Sequence, residues 1–180
     1  MKKLIFLLIL SFGVCLANEV ADAEEDLDET EQIQDEAGFA PDLKFRCTSD
    51  DNMSACYQLG LAYLEGLNIK KNPKKAPQFF KIACKQKYKD SCEKFAYSYT
   101  AIGEHYENHA IKHIHKRSFI KAFKFYKKAC SLKDPQGCYN YALFFENGKD
   151  GVCDQNDKQA QKFFKISCDG GYELACAKIK

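Results

Sequence analysis

Three stretches of the chain repeat one arrangement of apolar and polar positions: KAPQFFKIAC (75–84), KAFKFYKKAC (121–130) and QAQKFFKISC (159–168). Ala76, Ala122 and Ala160 each stand eight residues before Cys84, Cys130 and Cys168, with Phe79 and Phe80, Phe125 and Tyr126, or Phe163 and Phe164 between them. An apolar face recurring at this spacing predicts an amphipathic helix, here termed B. A second pattern follows each cysteine pair: CYQLGLAYLEG (56–66), CEKFAYSYTAIG (92–103) and CYNYALFFENG (138–148). Leu59, Phe95 and Tyr141 are followed by the small residues Gly60, Ala96 and Ala142, and four positions on by Tyr63, Tyr99 and Phe145. The i, i+4 spacing puts both large side chains on one helix face, and the small residue lets a neighbour approach; this is helix A.

Aligned on the cysteines, the units recur after 36, 46 and 38 residues, from Cys56 to Cys92, Cys138 and Cys176. Such periods indicate helical-pair arrays, in which no unit buries its apolar face alone. Asn72-Pro73 and Asn156-Asp157 are start signals for two of the B helices. Pro77 is tolerated only close to a helix start, so the first B helix is expected to begin late.

The N-terminus changes how the cysteines are read. Lys2 and Lys3 precede an apolar run and small residues, the pattern of a secretory signal cleaved after Ala17 (1–17), and bulky Val14 argues against a lipid anchor on Cys15. Export implies an oxidising compartment, periplasmic or secreted, in which local cysteine pairs become bridges. The expected pairs are Cys47 with Cys56, Cys84 with Cys92, Cys130 with Cys138, and Cys168 with Cys176, each tying the end of a B helix to the start of the next A helix. Each such loop contributes about 2.6 kcal/mol in the chain-entropy model. Cys153 is left over and is expected to be an unpaired thiol in an exposed loop, suited to a covalent homodimer or a mixed disulfide, with simple burial as the alternative. None of these pairs has the C-x2-C spacing of a zinc site.

Charge divides the chain. Residues 18–44 hold 11 acids and one base, and read as an acidic disordered leader. Residues 45–180 hold 24 bases against 14 acids, a net +10 that would attract acidic peptides, cell-wall polymers or lipid headgroups. Export and the absence of a glycine-rich phosphate loop argue against a nucleic-acid or nucleotide ligand.

The string ACYQLGLAYLEG, the K-A-x3-[FY]-x-K-x-[AS]-C phrase and the C-x7-C pairs resemble the Sel1-like repeats of the Helicobacter cysteine-rich protein family, relatives of the tetratricopeptide repeats. The resemblance covers residues 47–180 and departs from a 36-residue unit at two insertions. It implies an all-α, right-handed α/α solenoid at 45–180, about three repeats plus caps, with a bridge in each junction turn. It also implies a penicillin-binding protein or slow β-lactamase.

The residues themselves argue for a non-catalytic scaffold. Ser91-x-x-Lys94 and Ser118-x-x-Lys121 match the nucleophile motif of serine β-lactamases, but eight serines and 25 lysines in 180 residues yield about one such match by chance. The companion Ser-Asp-Asn and Lys-Thr-Gly elements do not occur, and Ser91 reads as a helix cap. Helical-pair arrays bind peptides, proteins or cell-wall fragments on a concave face lined by A helices. Gln58, Lys94 and Asn140 occupy equivalent A positions and are expected along that groove, with Tyr57, Tyr97, Tyr139 and Phe144 as aromatic contacts. The insertion GEHYENHAIKHIHKR (103–117) holds all four histidines. His105, His109 and His113 would share a helix face and could chelate zinc, copper or nickel, while mild acid would charge the group.

Overall fold

The computed structural model describes residues 38–113, 115–149 and 151–180. The signal segment and leader residues 18–37 lie outside them. Eight α-helices follow one another: α1 (Phe39–Thr48), α2 (Met53–Leu61), α3 (Ala76–Lys85), α4 (Ser91–His113), α5 (Lys116–Ser131), α6 (Pro135–Asn147), α7 (Asp157–Asp169) and α8 (Glu173–Cys176). Helix A corresponds to α2, α4 and α6, and helix B to α3, α5 and α7. Each helix packs on its neighbours in chain order, which makes the molecule an α/α solenoid. A π-helical turn (Ala62–Gly66) ends α2, and a 3-10 turn (Pro73–Lys75) leads into α3, with Pro77 in the first turn as its missing N–H requires. Among the described residues no helix is long and apolar enough to cross a membrane.

The leader boundary is corrected. Residues 39–44 begin α1, a terminal B-type helix that buries Ala40, Leu43 and Cys47 at i, i+3, i+7 spacing against α2.

Aromatic residues from alternating A and B helices fill the core. Leu59, Tyr63, Phe79 and Phe80 form its N-terminal part. Tyr99, Ile102 and Phe125 form the middle, and Phe123, Tyr141, Phe145 and Phe164 the C-terminal part. The small A-helix residues act as expected: a Cβ on Gly60 would sit 2.8 Å from the Phe80 ring.

The four B-to-A turns carry the staples. Cys47–Cys56, Cys84–Cys92, Cys130–Cys138 and Cys168–Cys176 are disulfides, with Cα separations of 4.6, 4.6, 4.4 and 4.8 Å. Three of the turns share one backbone scheme. The N–H groups of Tyr88, Asp134 and Tyr172 donate to carbonyls five residues back, and those of Lys87, Lys133 and Gly171 to carbonyls three back. This is the Schellman closure, with Lys87, Lys133 and Gly171 in the left-handed region (φ 54°, 66° and 93°).

Cys153 differs from its expectation. It takes part in a disulfide, and no described cysteine is a free thiol. It is also buried at 4 % exposure, and Lys149 and Cys153 exchange backbone hydrogen bonds of 2.6 and 2.9 Å across the loop.

Candidate functional groove

The A-to-B turns decide where a groove can form. In the first and third units a glycine at positive φ (Gly66, Gly148) stops the A helix. The chain then returns through Asn72 or Asn156, whose N–H groups donate to the carbonyls of Tyr63 and Phe145 at 2.8 Å. Their side chains accept from the N–H groups of Lys74 and Gln159, capping the B helix. In the second unit the insertion lets α4 run on to His113, and α5 starts at Lys116, ahead of Ser118, the register equivalent of those asparagines.

One face of the long α4 lines two cavities. The first, of about 610 Å³, lies between Lys71 and the π turn on one side and Tyr97, Ala101, Glu104, His105 and Asn108 of α4 on the other. The second, of about 650 Å³, lies between Glu93, Lys94 and Tyr97 and the turn holding Lys133, Asp134 and Pro135. Tyr97 lines both, so they form one trough along α4.

Polar contacts between units fix its walls. Thr100 Oγ1 donates to Asp134 Oδ2 at 2.7 Å, and the same oxygen accepts from the Gly137 N–H at 2.7 Å, capping α6. Gln136 Nε2 donates to Glu104 Oε1 at 2.8 Å. Tyr126 donates its hydroxyl proton to Glu107 Oε2 at 2.7 Å. Burial pushes the Glu104 carboxyl up, against the opposing pull of Lys71 and the Gln136 hydrogen bond. Burial also raises the Tyr97 phenol, helped by Glu104, Asp134 and Glu65, whose charges converge on it.

The expected site residues are distributed as follows. Lys94 lines the trough. Gln58 is exposed and donates to Ser54 at 3.1 Å, and Asn140 is half-buried in α6. Of the expected aromatic contacts, Tyr97 faces the cavities, whereas Tyr57 packs on Phe80 and Tyr88, Tyr139 packs on Phe164 and Tyr172, and Phe144 is buried. Gln136 was not singled out in the sequence, nor was Glu104 as a groove residue. Their polarity was visible, but only the path of α4 beyond Gly103 brings them together.

The histidines divide. His109 stands 4.6 Å from His113 and 5.9 Å from His115, ring centre to ring centre, while His105 contacts the Tyr106 ring and lines the trough. Among the described residues no group of three or more His, Cys, Asp or Glu is placed to hold a metal ion. His109, His113 and His115 gather at the exposed tip in place of the expected His105, His109 and His113, because the chain turns back after His113. Ser118 Oγ lies 3.1 Å from His109 Nδ1. The hydroxyl of Ser91 is fully buried with no hydrogen-bond partner, so Ser91 neither caps α4 through that oxygen nor presents a nucleophile.

A stapled helical-pair solenoid with a trough along its A helices defines a repeat scaffold. The Sel1 repeat model matches residues 54–88, 97–134 and 135–172, and the chain belongs to that family. A Sel1 repeat protein from Oxalobacter formigenes shares the fold at a TM-score of 0.51 and 20% identity, over 79% of this chain and 98% of that one. Helicobacter pylori cysteine rich protein B is 30% identical, with a TM-score of 0.46, over 78% of this chain and 96% of that one. Human cytochrome c oxidase assembly factor 7 is 28% identical over 77% of this chain. Its Drosophila melanogaster homolog is 33% identical over 57% of this chain. The matches span 57% of the human protein's length and 35% of the fly protein's.

Proposed function

We propose that this protein is a non-catalytic scaffold of an oxidising compartment, periplasmic or extracellular, that holds a peptide or protein segment in the trough along α4. The observation that carries this reading is the pair of joined cavities, about 610 and 650 Å³, walled by three consecutive units and meeting at Tyr97. Covalently closed turns suit such a role, because a site fixed before binding loses less conformational freedom when its ligand arrives. The four disulfides suit an oxidising compartment. A scaffold that holds another polypeptide also accords with the description of the human relative as an assembly factor.

Site-specific photocrosslinking tests the reading. A benzophenone side chain replacing Ala101, in the trough, should capture a polypeptide from an extract of the exporting cell, whereas one at Lys127, on the outer face, should not. Equal capture at both positions refutes a groove-directed role. The competing reading, a β-lactam acceptor, is tested by mass spectrometry after incubation with a penicillin. The expected result is no acyl adduct on Ser91 or Ser118.

A further inference from the structure

The trough has the opposite charge sign to the body around it. Glu65, Glu104, Asp90, Glu93 and Asp134 line the two cavities against Lys71, Lys94 and Lys133; five carboxylates less three ammonium groups leave a formal charge of −2. Residues 45–180 as a whole carry +10. The excess bases lie on the outer helices: α3 bears Lys81 and Lys85 and no acid, and α5 bears six Lys or Arg residues and no acid. The trough is thus an anionic strip on a cationic molecule, and low-dielectric walls concentrate its field.

A second, independent observation concerns Tyr97. The other nine of the ten tyrosines have an aromatic neighbour: Tyr57, Tyr63, Tyr88, Tyr99, Tyr106, Tyr126, Tyr139, Tyr141 and Tyr172. Several also carry a lysine over the ring, as Lys75 does over Tyr63 at 5.2 Å and Lys128 over Tyr99 at 5.9 Å. Tyr97 has neither among the described residues, although it sits at the junction of the cavities.

From the charge inversion and a half-buried ring with no aromatic or cationic neighbour among the described residues we infer that the trough binds an extended peptide segment through a lysine or arginine side chain laid over the open part of Tyr97. The inference rests on the scaffold reading above and gives the partner its chemistry: a basic segment rather than the acidic ligand that net charge suggests. An aromatic face flanked by carboxylates suits such a side chain, because the ring quadrupole and the acid both attract it. Glu104 is positioned for the charged end. Gln136 holds its Oε1, and Oε2 has no hydrogen-bond partner among the described residues. Ala101 and Pro73 line the same cavity beside the path of the aliphatic stem, and Lys71 on the opposite wall competes for Glu104.

Three fluorescent heptapeptides, identical except for a central Arg, norleucine or Glu, should be titrated into the oxidised full chain and followed by anisotropy. The Arg peptide should bind at least tenfold more tightly than the Glu peptide and severalfold more tightly than the norleucine peptide. Tyr97→Ala and Glu104→Gln should each weaken the Arg peptide fivefold or more, with unchanged circular dichroism. Lys127→Glu on the outer face should leave it unaffected. If the Glu peptide binds as well or better, and Tyr97→Ala abolishes it, the trough is a peptide site but the cationic assignment is wrong. If no peptide binding responds to either trough substitution, both this inference and the groove reading fall.

Discussion

The first and third units end their A helices at a glycine and return at once through a capping asparagine, whereas the second unit does neither. Gly66 and Gly148 take positive φ where α4 simply continues. Asn72 and Asn156 accept from backbone N–H groups, whereas His115, at the start of α5, makes no side-chain cap. The difference shows what an insertion can add to a repeat array. The part of α4 beyond Ile102 supplies Glu104, His105 and Asn108, half of one trough wall, which the compact units have no residues to form. The extension is anchored where Tyr126 passes against Gly103, whose added Cβ would lie 2.5 Å from the ring, and donates to Glu107.

The comparison can be broken most forcefully at that anchor. Tyr126 is fully buried, so Tyr126→Ala should cost about 4 kcal/mol, as large-to-small changes of buried aromatic residues do. Urea unfolding of the oxidised protein measures it, and a loss below about 1 kcal/mol would show that the extension stands without its anchor.

The staples should not distinguish the units. Replacing Cys130 and Cys138 together by alanine, or Cys84 and Cys92, should each lower stability by about 2.6 kcal/mol, since both pairs are eight residues apart. A markedly smaller loss for one pair would mean that its turn is held by the Schellman closure rather than by sulfur.

A smaller effect separates the two kinds of A-to-B turn. Asn156→Ala removes a cap and should cost about 1 kcal/mol, whereas His115→Asn offers one where none exists and should gain up to about 1 kcal/mol. Opposite shifts in thermal midpoint sharpen the contrast, and shifts of the same sign would erase it.

The smallest effect concerns Glu104. Because burial raises its carboxyl in the folded state, the native protein holds that proton more tightly than the unfolded chain. The contribution of this group to stability is therefore fully present below the ordinary carboxyl range and is lost as pH rises through the raised value. Glu104→Gln should remove this part of the slope and leave the protein a few tenths of a kcal/mol more stable at neutral pH, as a series of denaturation curves between pH 4 and 8 would report. A variant less stable at pH 7 would mean that the Gln136 contact outweighs desolvation.

The solenoid was legible because its signals are local and repeated. The alanine, aromatic pair and cysteine of each B helix, and the large-small-large face of each A helix, need no knowledge of distant residues. Helix α1 carries the same apolar spacing at Ala40, Leu43 and Cys47, but it abuts the acidic leader, and one short turn of pattern does not outweigh that composition. The trough was only partly legible. Lys94 and Tyr97 were marked by register, whereas Glu104 depends on α4 passing its usual stop. The histidine grouping was legible in part for a related reason: helical spacing pairs His109 with His113, but only the turn that follows brings His115 to them. The backbone bridge between Lys149 and Cys153 had no local signal, since it depends on how the loop folds back.

The bracketed turns have a further consequence for proteolysis. Lys87, Lys89 and Lys133 are exposed and sit inside the loops closed by Cys84–Cys92 and Cys130–Cys138. A trypsin-like enzyme that cuts there severs the peptide backbone but not the molecule, since sulfur still joins the two fragments beside the break. The nicked protein should migrate as one species until a reductant is added, so these exposed scissile bonds are ones whose loss the scaffold can survive.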